Sequence, residues 1–109
     1  MKLLIVGSRS VECFDLSPHI FEKVDTIISG GAKGIDSLAE KYADSRRLSK
    51  YIIRPRYELY GRYAPIKRNE QMVDMADAVL IIWDGFSKGT LRTIEYAKKQ
   101  NKPLTLIKL

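Results

Sequence analysis

Short apolar runs alternate with helical patterns along the whole chain, and few folds accommodate that alternation. Leu3-Leu4-Ile5-Val6 runs into Gly7, Thr26-Ile27-Ile28 into Ser29-Gly30-Gly31, and Tyr51-Ile52-Ile53 into Arg54-Pro55. Ala78 to Trp83 and Leu104 to Leu109 supply the fourth and fifth runs. Uninterrupted apolar runs of this length read as strands buried on both faces. Between the first two, Ser17-Pro18 resembles an N-cap followed by proline, opening a short helix from about Pro18 to Lys23. Its inward residues would be Ile20, Phe21 and Val24. From Ile35 the period changes: Ile35, Leu38, Ala39, Tyr42 and Ala43 form a helical stripe, with Asp36, Glu40, Lys41 and Asp44 outside it. Tyr57 to Ala64 reads as an irregular loop. Pro65 starts a helix with Ile66, Met72, Val73 and Ala76 inward, and Thr90 starts the last, with Leu91, Ile94 and Ala97 inward.

Strands and helices in strict exchange imply right-handed crossovers and a parallel sheet covered on both faces. The expected class is α/β, a Rossmann-like three-layer αβα domain of five parallel strands in the order 3-2-1-4-5. At 109 residues the chain is expected to form one domain spanning residues 1–109.

Composition removes several classes of function. The longest apolar run, Ala78–Trp83, is far below the roughly 18 residues of a membrane helix. The start of the chain lacks the pattern of a secretory signal. A single cysteine, Cys13, and a single histidine, His19, exclude an internal disulfide and a Cys/His zinc cluster. The expected address is a reducing cytoplasm, with no membrane partner, metal or cofactor.

The net charge of +6 is concentrated. The window Arg46–Arg68 holds eight of the nineteen basic residues and one of the thirteen acids, so the rest of the chain is slightly acidic. Such a block suits an anionic partner, or simply a solvated basic face.

In an open parallel sheet, ligands bind beyond the carboxyl ends of the strands, where the strand order reverses. Three loops at those ends are unusual. Gly7-Ser8-Arg9-Ser10 follows the first strand, Ser29-Gly30-Gly31-Ala32-Lys33-Gly34-Ile35-Asp36 the second, and Asp84-Gly85-Phe86-Ser87-Lys88-Gly89-Thr90 the fourth. Glycines let backbone amides approach a ligand, and a helix amino end favours an anion. A strand-to-helix turn would also use these glycines for geometry alone, and Asp36 would suit the first turn of any helix. Neither a P-loop nor a dinucleotide-binding G-x-G-x-x-G is present.

Taken together, Gly7-Ser8-Arg9, the Ser29-to-Asp36 string, Arg68-Asn69 and Asp84-Gly85-x-Ser87-x-Gly89-Thr90 resemble the SLOG superfamily. That group includes the DNA-processing protein A (Smf) domain and the LOG phosphoribohydrolases; this chain is most similar to the small stand-alone members. The resemblance implies binding of a nucleotide or nucleotide-derived molecule, with phosphates on the amides of Gly30 to Gly34 and Gly85 to Thr90. Arg9, Lys33 and Lys88 would neutralise charge, and Arg68 and Asn69 would face the ligand. It also implies a homodimer. LOG enzymes carry Pro-Gly-Gly-x-Gly-Thr-x-x-Glu with a catalytic glutamate. Here Gly89-Thr90 match, but the glutamate position is Thr93, and Glu95 lies about 200° further round the helix. The hydrolase alternative therefore lacks its acid, unless Asp36, Glu70 or Asp84 substitutes. The DNA-processing alternative implies single-stranded nucleic acid on Tyr57, Tyr60 and Tyr63 among Arg54, Arg56 and Arg62. Those tyrosines would equally serve as a lid or a dimer contact.

Overall fold

A computed structural model describes residues 1–109. Five parallel strands form one sheet in the order β3-β2-β1-β4-β5: β1 (Lys2–Gly7), β2 (Thr26–Ser29), β3 (Ser49–Ile52), β4 (Ala78–Trp83) and β5 (Leu104–Lys108). β1 and β4 pair in register from Leu3 with Ala78 to Gly7 with Ile82. Four helices complete the chain: α1 (Ile35–Ser45), α2 (Tyr57–Tyr60), α3 (Ala64–Met75) and α4 (Lys88–Lys99). The α/β class and strand order are those expected from the alternation of patterns.

The strand period of two divides the core. Leu3, Ile5, Ile27, Leu80 and Ile82 face α1, meeting Ile35, Ala39 and Ala43 together with Leu16 and Val24. Leu4, Val6, Ile28, Val79 and Ile81 face the other way, onto Met72 and Val73 of α3, Ala76 just after it, and Ile94 and Ala97 of α4. No helix is long and apolar enough to cross a membrane.

Several local expectations are corrected. The helix expected from Pro18 to Lys23 is one 3-10 turn, Ser17–His19, and Ser17 does not cap it with its side chain. Asp15 Oδ1 instead accepts the Ser17 N–H at 3.1 Å, and Leu16 and Val24 supply the buried contacts while Phe21 is exposed. The third strand begins earlier than its apolar run, because Ser49 and Lys50 pair with Thr26 and Ile27 at the sheet edge despite their polarity. Tyr57–Tyr63 is no irregular loop: α2 is followed by a 3-10 turn at Gly61–Tyr63.

The inner face of α4 is Thr90, Thr93, Ile94 and Ala97, and Leu91 is exposed. Counting only apolar residues misplaces that face. Both threonines are accommodated because their hydroxyls are bonded locally, Thr93 Oγ1 donating to the Gly89 carbonyl at 3.1 Å and Thr90 Oγ1 lying 3.1 Å from Ser87 Oγ.

Candidate functional site

The order reverses between β1 and β4, and a cleft of about 480 Å³ opens beyond their carboxyl ends. Its walls come from all three unusual loops and from α3. Gly7 and Arg9 line it from the loop after β1, Ala32 and Asp36 from the start of α1, and Arg68 and Asn69 from α3. Asp84, Ser87, Gly89 and Thr90 close the β4 side. Three lining residues were not expected from sequence, Val6, Pro65 and Met72; they enter through packing between distant elements, whereas Ser10 belongs to the loop after β1 already singled out.

The remaining candidate residues lie behind or beside the cleft. Ser8 is 1% exposed, and its Oγ accepts the Asp84 N–H at 3.0 Å. Ser29 is buried, donating to Glu40 Oε2 at 3.0 Å and accepting the Gly31 N–H at 3.2 Å. Gly34 caps α1 at φ 73°, where a Cβ would stand 2.5 Å from the Ser8 carbonyl oxygen, so only glycine lets these two loops approach so closely. Gly85 lies under Lys108, Lys33 is exposed away from the cleft, and Lys88 lines an adjoining groove between α3 and α4.

Several loop amides already have acceptors within the chain. Ala32 N–H donates to Asp36 Oδ2 at 3.2 Å, and Gly31 N–H to Ser29. Across the cleft, Asp84 Oδ1 takes the N–H groups of Phe86 and Ser87 at 2.8 and 2.9 Å, and Ser87 Oγ takes that of Thr90 at 3.3 Å. These bonds to its carboxylate hold the Asp84 pKa below the ordinary value. The amides of Lys88 and Gly89, first in α4, have no carbonyl one turn back inside the helix and remain open to an anion. Arg9 is exposed at the rim and takes part in none of the chain's ion pairs.

Arg68 is committed differently. Its Nη1 donates to the Gly30 carbonyl at 2.7 Å and its Nε to Asn69 Oδ1 at 2.8 Å, so it clamps the end of β2 to α3. Gly30 makes room for the clamp: a Cβ there would lie 2.8 Å from Arg68 Nη1 and 2.9 Å from Asp36 Oδ2. Asp36, expected outside the helical stripe, is 5% exposed and turned into the protein instead. Burial pushes its pKa up, against the Ala32 N–H and the charge of Arg68, which pull it down.

Other residues fall outside the cleft. Thr93, in the position of the LOG glutamate, is buried, and Glu95 points with Arg92 and Lys99 along the α3–α4 groove. Trp83 donates its indole N–H to the Ser87 carbonyl at 3.0 Å, tying it to the β4 loop. Tyr57, Tyr60 and Tyr63 are exposed, with the Arg62 guanidinium over the Tyr63 ring. Cys13 is a free, exposed thiol.

Over 66 residues, 58% of the chain, it is 33% identical to the uncharacterized SPbeta prophage-derived protein YoqJ of Bacillus subtilis (strain 168). The match spans 37% of that protein's length. No family model matches the chain, and no solved structure does.

Proposed function

We propose that the chain binds a nucleotide or a nucleotide-derived small molecule in the cleft between the ends of β1 and β4, as a sensor or sequestering module of SLOG type. One observation carries this reading. Groups suited to an anion and free of partners within the chain, the Arg9 guanidinium and the Gly89 amide, border the same cleft at the topological switch point, with the open Lys88 amide beside it. The phosphate sits at the amino end of α4. The loop after β2 acts as the opposite wall, the amides of Gly31 and Ala32 being held by Ser29 and Asp36.

Trp83 makes the test direct, because its indole is bonded to the loop that would close on the phosphate. Titration with nucleoside monophosphates gives a saturable change in its fluorescence, with no free base released on prolonged incubation. Release of base would favour the phosphoribohydrolase alternative.

The exposed rings of Tyr57, Tyr60 and Tyr63 favour a second reading, single-stranded nucleic acid on the basic window. Binding there weakens steeply with salt and responds to loss of the tyrosines.

A further inference from the structure

Asp36 carries a feature that anion binding does not use. Asp36 is 5% exposed, it lines the cleft, and only one carboxylate oxygen accepts a hydrogen bond. Oδ2 accepts the Ala32 N–H; Oδ1 is closed off from solvent and accepts no hydrogen bond within the chain, so it meets a ligand only when the carboxyl turns toward the cleft. The nearest cation is not free to supply a donor. Arg68 directs Nη1 to the Gly30 carbonyl and Nε to Asn69, and no guanidinium nitrogen comes within 4.0 Å of the Asp36 carboxylate. A buried acceptor without a donor is costly, and native proteins rarely leave one so.

We propose that Asp36 Oδ1 is a specificity determinant of the cleft, accepting a hydrogen bond from a neutral O–H or N–H donor on the bound molecule. The inference rests on the nucleotide reading above. Arg68 beside the carboxylate and Arg9 at the rim disfavour a cationic donor, which leaves a hydroxyl or a neutral amine. A nucleotide offers both, on its sugar and on its base. With its phosphate at the start of α4, such a ligand spans the cleft from the β4 loop to Asp36.

Asp36→Asn isolates the oxygen in question. The amide oxygen can still accept the Ala32 N–H, which places an NH2 group where Oδ1 had been and presents a donor to a donor. Calorimetric titrations use the whole chain, wild type and Asp36→Asn, with adenosine 5′-monophosphate, its 2′-deoxy and 3′-deoxy forms, and inosine 5′-monophosphate. The wild type is expected to lose at least about tenfold in affinity when the group meeting Asp36 is removed. Loss with a deoxy form assigns a sugar hydroxyl, and loss with inosine the base amine. Asp36→Asn is expected to bind the adenosine nucleotide with the same loss and to stop discriminating that analogue. A wild type that holds all four alike, or a variant that keeps the wild-type preference, overturns the role of Asp36 while nucleotide binding stands. Failure of the wild type to bind any of the four overturns both.

Discussion

Ser8 Oγ accepts the Asp84 backbone N–H at 3.0 Å, joining the loops that leave two adjacent parallel strands. Seventy-six residues separate the pair in sequence. Ser8 N–H in turn donates to the Ile82 carbonyl at 3.1 Å, so one buried residue extends the β1–β4 pairing past the last strand residue. Ser8→Ala removes the acceptor and leaves the Asp84 N–H without its partner. A loss of about 1 kcal/mol of stability is expected in denaturant titration, with weaker ligand binding because the β4 loop is less firmly placed. Unchanged stability would show that the link contributes little.

Asp36 gives stability a particular pH dependence. Its folded pKa lies above the unfolded one, so below the ordinary aspartate value of about 3.9 both states are protonated and burial costs little. As pH rises from there through the raised folded value, the unfolded state loses its proton first and stability falls. Asp36→Asn removes that decline. The stability of the variant relative to wild type should rise by on the order of 1 kcal/mol between pH 3 and pH 7. Thermal melts across that range check it; a wild type and variant with parallel pH profiles would contradict it.

Asp84 behaves in the opposite sense. Its pKa is lowered by the N–H groups of Phe86 and Ser87, so its contribution is present above the ordinary value and disappears as pH falls through the depressed folded one. A carboxyl-resolved NMR titration should place its midpoint below the ordinary aspartate value. In Asp84→Asn the amide resonances of Phe86 and Ser87 should shift at neutral pH.

The Arg68 clamp depends on guanidinium geometry. Lysine cannot reach the Gly30 carbonyl and Asn69 Oδ1 at once, so Arg68→Lys should cost roughly 1–3 kcal/mol. Gly30→Ala should cost a similar amount, about 1–3 kcal/mol, by driving a methyl group into Arg68 and Asp36. Because the two residues contribute to one contact, the double variant should lose less than the two single losses added. Simple additivity in urea titrations would refute the shared contact.

The fold was legible because its information is local. Each strand contains a short apolar run, and α1 shows its inner stripe within eleven residues. What escaped depends on partners far along the chain. The Asp36 side chain is buried by Gly30 and by Arg68, thirty-two residues on, and no pattern around Asp36 announces this. The α4 face was misread because two threonines occupy buried positions with their hydroxyls bonded locally. Within the candidate site, glycines marked where loops converge, as Gly34 under Ser8 and Arg9 shows. They did not reveal which amides would already be taken by Ser29, Asp36 and Asp84.

Gly89 offers the cleanest variant for the phosphate position. A Cβ there meets nothing within 4 Å, and an acid in the first turn of α4 is compatible with the helix dipole. Gly89→Asp should therefore fold with stability within about 1 kcal/mol of wild type, while its carboxylate competes for the ground an incoming phosphate needs. A nucleotide affinity reduced by tenfold or more is expected, on the order of a lost charge-assisted hydrogen bond. Wild-type affinity in a folded Gly89→Asp chain would move the phosphate elsewhere.

Amide-resolved NMR during addition of a nucleoside monophosphate tests the location of binding most directly. Saturable shifts are expected at Gly7 to Ser10, Ala32 to Asp36, Arg68 and Asn69, and Asp84 to Thr90, with the Tyr57–Tyr63 segment unmoved. Shifts confined to Tyr57–Tyr63 and the neighbouring arginines, or no shifts at all, would contradict this location.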